Sequence, residues 1–295
     1  RVWHTPSEPD ASLEAILALA RRAHALDMHV LVDLHYSDTW ADPGHQTPPA
    51  AWRGLAFAAL ADSTERWTRD VIAAFVAQGT PPVAVQIGNE VDHGMLWELG
   101  RVTSDEASMD RFAALVGRGA AAVRAACPQA QVMVHVTAGR DAATTLAFLD
   151  GLSRRHVRYD ALGVSYYPRW HGSLAALRPW LARVARRVRV PVTVVETAYP
   201  WTLGWSDDTH NVFGDAQALL ADLPASPVGQ VAYLEALRRT LDVLPESQRG
   251  GVYWWEPACI AVPGAGSSWE NATLFDADGV MLPAARTLGG PQSSR

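Results

Sequence analysis

The sequence contains no lysine, and all 25 of its basic residues are arginines. Its 31 acidic residues give a formal net charge of -6, so no basic surface for a phosphate backbone is expected and nucleic acid is not a predicted partner. No run of about 20 apolar residues occurs, so the sequence predicts no membrane-spanning helix and no membrane partner. Cys127 and Cys259 lie far apart without metal-ligand spacing, so neither a disulfide framework nor a zinc site is predicted.

The chain is long and apolar enough to bury a large core, with 295 residues of which 48% are apolar. Short runs rich in β-branched residues alternate with longer stretches of helical periodicity, which is typical of βαβ units around a parallel sheet. The predicted strands are 29–35, 82–88, 131–136, 161–166, 191–196 and 251–255. The predicted helices are 12–26, 64–77, 105–126, 142–154, 174–187 and 227–243. This pattern alone suits a doubly wound sheet as well as a (β/α)8 barrel.

The loops favour the barrel, because the segments that follow strands are long and rich in Trp, Asp, His and Pro, whereas those that precede strands are short. Active sites of (β/α)8 barrels are built from the loops at the C-terminal ends of the strands. Of the 12 tryptophans, only Trp67 and Trp180 fall in predicted helices. Because sugar rings stack their apolar C–H faces on indole, these loops predict a carbohydrate substrate.

Two predicted strands each end in a glutamate. Asn89 and Glu90 follow one apolar strand, and Glu196 closes another three strands later. Glycoside hydrolysis requires two carboxyl groups across one cleft, about 5 to 5.5 Å apart in a retaining enzyme. Either glutamate alone is equally well explained as a solvated or salt-bridged residue. Two of them, each closing an apolar strand among Trp-rich loops, favour a glycoside hydrolase.

Four strand-end stretches resemble those of glycoside hydrolase family 53. They comprise 31–44 with 49–52, then 86–90 with 94–97, then 196–202 and 253–258, and they follow the family order across nearly the whole chain. The resemblance implies a (β/α)8 TIM barrel of clan A that hydrolyses β-1,4-galactosidic bonds of type I arabinogalactan and pectic galactan from within, with retention. Another clan A endoglycosidase (a β-mannanase or an endoglucanase) and a non-catalytic carbohydrate-binding barrel are the alternatives.

By this resemblance Glu90 is the general acid/base and Glu196 the nucleophile. Asn89 is expected to bind the substrate 2-OH, and Arg1 to lie beside the nucleophile and keep it ionised. The complete set of expected substrate-binding side chains is Arg1, His35, Asp38, Trp40, Asn89, Trp97, His135, Tyr166, Tyr167, Trp254 and Trp255. A purely structural role is the alternative for the two histidines, and packing in the core is the alternative for the four tryptophans. The resemblance implies that either Tyr166 or Tyr167 lies against the nucleophile. The two neighbours point to opposite faces, so the sequence does not choose between them.

The resemblance also bears on completeness, metal binding and location. The Arg-Val-Trp that closes the family's second strand opens this chain, so residues 1–295 are expected to form a single catalytic domain that lacks the first strand, the first helix and most of the second strand.

No cofactor is required, but the hard donors of Asp207, Asp208, His210 and Asn211 could hold a structural calcium; a solvated acidic turn is the alternative. A monomer acting on a polysaccharide outside the cytoplasm, secreted or periplasmic, is expected.

Overall fold

The computed structural model describes residues 1–139 and 141–289 and contains a six-stranded sheet. The strands are β1 (Leu31–Leu34), β2 (Ala84–Ile87), β3 (Gln131–Thr137), β4 (Ala161–Ser165), β5 (Val192–Glu196) and β6 (Arg249–Val252). They follow one another in chain order, and β1 with β2, β2 with β3 and β5 with β6 pair in parallel. Every predicted strand is therefore present, and the parallel α/β arrangement is confirmed.

Helices alternate with the strands as predicted. They are α1 (Leu13–His24), α2 (Phe57–Ala77), α3 (Glu106–Ala126), α4 (Ala142–Arg154), α5 (Pro168–His171), α6 (Leu174–Val188), α7 (Pro227–Leu241) and α8 (Pro283–Leu288). Serine or aspartate caps begin α1, α3, α6 and α7. The helix α2 begins seven residues before its predicted start, because Ala56 precedes it and offers no side-chain cap as a signal. Within the described part of the chain, no helix has the length and hydropathy that crossing a membrane demands.

The chain divides into two compact units, the first comprising residues 1–137 and 143–163. In this unit α2 packs against α3, and every residue of β2 is buried. Val2 forms an isolated parallel bridge with Leu34, donating its N–H to the carbonyl of Asp33 at 2.7 Å. The first residues of the chain thus run beside the C-terminal end of β1.

The second unit comprises residues 138–142 and the chain from 164 onward. Its core includes Tyr199 stacked on Tyr233, with ring centroids 4.6 Å apart, and α7 packs against both α6 and α8. The hydroxyl groups of Tyr233 and Thr197 are hydrogen-bonded to each other. Burial raises the pKa of Tyr233 well above its ordinary value, so this phenol stays protonated.

The strand β6 begins two residues before its predicted start and ends at Val252 rather than 255. Its first half contains Gly250, whose backbone lies so close to β5 that a Cβ would collide with Thr193 Oγ1 and come within 2.6 Å of the carbonyl oxygen of Val192. Hydrophobic periodicity cannot detect a strand residue selected for having no side chain.

We expect Gly250→Ala to destabilise the protein by about 1 to 3 kcal/mol, because the added methyl group pushes β6 away from β5. Gly251→Ala is the matched control, since a Cβ at Gly251 meets no atom within 4 Å; its effect should stay within about 0.5 kcal/mol. Urea denaturation of both variants measures the difference. Equal free energies of unfolding for the two variants would show that the close approach at Gly250 does not affect stability.

Candidate active site

The first unit carries Asn89 and Glu90 directly after β2. Gly88 before them has φ +79°, and a Cβ there would lie 2.6 Å from Val91 Cγ1, so the turn requires glycine. Glu90 has φ +45°, an uncommon conformation for a residue with a side chain. Such backbone conformations persist where surrounding contacts enforce them, which is frequent at functional sites. Asn89 is buried and Glu90 is half-buried.

The structure brings His135, at the end of β3, to the predicted Asn89. The Oδ1 atom of Asn89 lies 2.9 Å from His135 Nδ1, and Asn89 Nδ2 donates to the carbonyl of Ala41 at 2.8 Å. His135 is completely buried, and this burial lowers its pKa to about 3. The imidazole of His135 is therefore neutral at any pH at which the protein is expected to act.

His35 belongs to the same cluster through a residue that was not predicted. Its Nε2 contacts Asp33 Oδ2 at 2.8 Å, and Gln86 Nε2 donates to Asp33 Oδ1 at 2.6 Å. Burial alone would raise the pKa of Asp33, but the electrostatic attraction and the hydrogen bond of His35 hold it below its ordinary value, so the carboxyl group is ionised. A signal for Asp33 was present in the sequence, because a carboxylate within an apolar strand needs buried partners.

Trp40 is the exposed aromatic side chain of this unit's predicted set, with 41% of its surface accessible. The guanidinium of Arg1 lies 4.2 Å from its ring centroid, and the indole of Trp3 packs edge-on against it at 5.1 Å. Trp97 is half-buried, and the guanidinium of Arg101 lies 4.4 Å from its centroid. Both predicted platforms therefore carry an arginine on one face.

Asp38 has a different environment from the other predicted residues. Its carboxylate accepts the backbone N–H of Thr5 at 2.9 Å and that of Ala50 at 2.7 Å. These bonds join the segments that contain Thr5, Asp38 and Ala50, so Asp38 has a structural role. Contact of Asp38 with substrate stays a prediction.

The second unit carries Glu196 at the end of β5, where 7% of the residue is exposed. The hydroxyl of Tyr167 donates to Glu196 Oε2 at 3.0 Å. Tyr166 instead donates to the carbonyl of Gly172 at 2.7 Å. The choice that the sequence left open is thus settled geometrically: Tyr167 is the tyrosine bonded to this carboxylate.

The tryptophans of the second unit differ in their surroundings. Trp254 is buried and donates its Nε1 proton to the carbonyl of Ala272 at 2.8 Å, so it packs in the core rather than offering a face to a sugar. Trp255 is half-buried, 6.3 Å from Trp269 between ring centroids. Trp269 also lies 6.0 Å from Tyr167 and was not among the predicted residues. Its place in the loop after β6 was the available signal.

The predicted calcium ligands Asp207, Asp208 and His210 lie in the loop after β5. Asp207 accepts the backbone N–H of Thr209 and of Ser267, which lowers its pKa, while Asp208 and His210 are exposed. Among the described residues, no cluster of three His, Cys, Asp or Glu ligand atoms forms in this loop.

Asn211, the fourth predicted ligand, has a partner that was not predicted. Asn211 and Glu270 are both buried, with Asn211 Nδ2 3.3 Å from Glu270 Oε1. The atoms Asn211 Oδ1 and Glu270 Oε2 are buried without a hydrogen-bond partner. Hard oxygens are the donors that calcium takes, so Glu270 joins Asn211 as a candidate ligand that the sequence did not suggest.

A parallel α/β fold whose strand ends carry an Asn–Glu pair and a buried glutamate bonded to tyrosine, among exposed indoles, is that of a glycoside hydrolase. The chain belongs to glycosyl hydrolase family 53, whose model matches residues 1–288. This confirms the resemblance and the predicted (β/α)8 fold class.

Individual relatives agree with this membership. An uncharacterized protein from the bgaB 5′ region of Niallia circulans is 39% identical over 98% of this chain and 81% of its own length. The arabinogalactan endo-β-1,4-galactanase of Cellvibrio japonicus is 36% identical over 94% of this chain and 75% of its own. The family 53 catalytic domain of Ignisphaera aggregans superposes with a TM-score of 0.92 at 31% identity, covering 98% of this chain and 83% of that one.

We expect Tyr167→Phe to lower kcat/KM by about 10- to 100-fold, because a buried carboxylate loses a hydrogen bond to its charged form. Tyr166→Phe is the matched control on the neighbouring residue, since it removes a hydrogen bond to a backbone carbonyl instead. It should cost about 1 kcal/mol of stability and leave kcat/KM within about twofold. Steady-state kinetics with thermal unfolding of both variants tests this; equal kinetic losses would remove the assignment of Tyr167.

Proposed function

We propose that this family 53 chain is a retaining endo-β-1,4-galactanase acting on type I arabinogalactan and pectic galactan. The name of the Cellvibrio japonicus relative supports this substrate. The observation that carries the proposal is that Glu90 and Glu196 each end a strand of the same parallel sheet, β2 and β5. Catalytic side chains of (β/α)8 enzymes occupy these C-terminal strand ends.

In the proposed mechanism Glu196 is the nucleophile. Its burial limits hydration of the carboxylate, and the hydroxyl of Tyr167 orients the attacking group. A carboxylate oxygen of Glu196 bonds to the anomeric carbon while Glu90 gives its proton to the departing glycosidic oxygen. Glu90 then takes a proton from water, whose oxygen attacks the anomeric carbon and releases Glu196. Two inversions give net retention, and no cofactor takes part.

The remaining predicted residues are proposed to bind the polymer. Trp40, Trp97 and Trp255 retain exposed ring surface that suits stacking on galactose. Asn89 is proposed to bind the 2-OH, and Arg1 to favour the ionised nucleophile. We do not extend the proposal to Trp254, because its ring is enclosed by the core.

A polymeric substrate cannot enter a cytoplasm. We therefore propose that the protein acts outside the cytoplasmic membrane, secreted or periplasmic. We also propose that it is a monomer.

Substitutions of the two glutamates should impair different steps of the reaction. Glu196→Ala removes the nucleophile, so no glycosyl-enzyme forms and galactan hydrolysis should fall by several orders of magnitude. Added azide should restore turnover and give a glycosyl azide of inverted configuration. Glu90→Ala should be severe on galactan but mild in the first step for an aryl galactoside, whose phenolate leaves without protonation. Azide should then yield a product of retained configuration.

The configuration of the azide product, measured by NMR, distinguishes the two roles. An inverted azide from Glu90→Ala with a retained one from Glu196→Ala would reverse the assignments. Unchanged galactan hydrolysis in both variants would remove the site. A polysaccharide panel with galactan, mannan and cellulose tests the substrate separately, and preference for mannan or cellulose would contradict the galactanase proposal.

We also propose that Asn211 and Glu270 hold a structural calcium ion. The ion would satisfy two buried oxygens that have no partner among the described residues, and it would join the loop after β5 to the loop after β6.

Calcium should accordingly raise the melting temperature of the wild type after treatment with EDTA, by mass action on the folded state. Glu270→Gln should abolish the increase, because it removes the buried charge. Asp208→Asn, an exposed neighbour in the same loop, should retain it. A wild-type melting temperature that is indifferent to millimolar calcium would contradict the proposal.

A further inference from the structure

The short helix α5 carries an exposed indole that was not among the predicted substrate-binding residues. The helix begins at Pro168, directly after Tyr167 and close to the C-terminal end of β4, and Trp170 is its third residue. Of the surface of Trp170, 43% is accessible. Single exposed apolar residues are common on protein surfaces, so exposure alone assigns no role to this side chain. Its neighbours are therefore decisive.

Trp170 packs against the tyrosine that contacts the proposed nucleophile. Its ring centroid lies 5.1 Å from that of Tyr167, and the two ring planes are nearly perpendicular, at 80°. The hydroxyl of Tyr167 in turn donates to Glu196 Oε2 at 3.0 Å. The completely buried Phe213 lies 6.0 Å from Trp170 between ring centroids. The ring of Tyr167 thus connects the exposed indole to the carboxylate of Glu196.

Hydrogen bonds hold α5 in place. The hydroxyl of Tyr166 donates to the carbonyl of Gly172, which follows the helix, at 2.7 Å, and the backbone N–H of Tyr167 donates to His171 Nδ1 at 2.9 Å. Burial lowers the pKa of His171 to about 4, so this Nδ1 remains an acceptor at neutral pH. The C-terminal end of α5 is therefore bonded to the two tyrosines that precede the helix. An indole on such a fixed segment loses little conformational freedom when it binds a ligand.

The polar atom of this indole is also available. Within residues 1–139 and 141–289, no group accepts the Nε1 proton of Trp170. By contrast, Trp254 of the same unit donates its Nε1 proton to the carbonyl of Ala272, and Trp201 donates its own to the carbonyl of Glu270. Trp170 therefore combines accessible ring surface with a hydrogen-bond donor. These two features suit the apolar C–H face and the hydroxyl groups of a sugar ring.

We propose that Trp170 binds a galactose unit of the polymer, adjacent to the unit that Glu196 attacks, by stacking on its C–H face and donating the Nε1 proton to one of its hydroxyl groups. This inference rests on the proposed function, because it takes galactan as the ligand and Glu196 as the nucleophile. Trp170 binds the chain and takes no part in bond breaking. Its loss should therefore raise KM on galactan and leave kcat nearly unchanged.

Binding is measured directly by isothermal titration calorimetry of galactotetraose into the Glu90→Gln protein, in which loss of the proton donor suppresses hydrolysis. In that protein Trp170→Leu keeps an apolar side chain against Tyr167 but removes the indole, so Kd should rise by about 10- to 100-fold. Trp205→Leu is the matched control. Trp205 is an indole of the same unit that is 45% exposed and packs on His210 at 5.0 Å. Its substitution should change Kd by less than about twofold.

An unchanged Kd in Trp170→Leu, or an equal rise in Trp205→Leu, would overturn the proposal. Trp170→Phe is the second variant if Trp170→Leu does not fold. It keeps an aromatic ring but has no N–H, so Kd should rise by about three- to tenfold, the contribution of one hydrogen bond. An unchanged Kd in Trp170→Phe would likewise contradict the assignment.

Kinetics separate sugar binding from mere support of Tyr167. With Glu90 restored, Trp170→Leu should raise KM on galactan while kcat stays within about threefold. An aryl β-galactoside fills only the position attacked by Glu196, so its kcat/KM should stay within about twofold. Equal losses on both substrates would show that Trp170 only holds Tyr167, and would refute the binding role.

The proposed function can fail independently of this inference. If the Glu90→Gln protein bound mannotetraose or cellotetraose in place of galactotetraose, the galactanase proposal would be wrong. The same titrations of Trp170→Leu and Trp205→Leu with the sugar that binds would then decide whether Trp170 is a stacking residue.

Discussion

The parallel register between β1 and β2 is the constraint on which the first unit's site depends. Leu31 pairs with Ala84 and Leu34 with Ile87, and between these apolar pairs the same register sets Asp33 beside Gln86. A slip of one residue would turn each of these side chains to the other face of the sheet. The burial of the apolar residues therefore enforces the alignment of the polar ones. Asn89 and Glu90 inherit their positions from it because only Gly88 separates them from β2.

The second unit achieves comparable order by close packing. Glu196 ends β5, and β6 approaches the start of this strand, at Val192 and Thr193, so closely that Gly250 has no room for a side chain. Its backbone carbonyl accepts the N–H of Tyr166, and its side chain accepts the hydroxyl of Tyr167. Consecutive tyrosines thus serve opposite faces of one strand end. Because side chains alternate along an extended backbone, the hydroxyl of Tyr166 reaches the carbonyl of Gly172, whereas that of Tyr167 reaches Glu196.

Sequence reasoning located the strands, most helices and the two strand-end glutamates because each leaves a local signal, either a period or a break in an apolar run. It missed features that depend on contacts between distant segments. Glu270 reads as an ordinary loop residue until the fold buries it beside Asn211. Nothing in the sequence distinguishes Trp254 from Trp255, yet the fold buries Trp254 and leaves Trp255 half-exposed. Gln86 lies in a strand whose residues are all buried, and its partner Asp33 becomes visible only once β1 and β2 are paired.

The hydrogen bonds that link Asp33, Gln86 and Asn89 run in one direction, which has an evolutionary consequence. Each member is oriented by the one before it, so a single substitution that reverses one donor leaves two acceptors or two donors in contact. The intermediate would bear that cost before any second change could relieve it. Asp33, Gln86 and Asn89 should therefore behave as one heritable block. A lineage that alters substrate preference has easier routes through the exposed indoles than through these three buried positions.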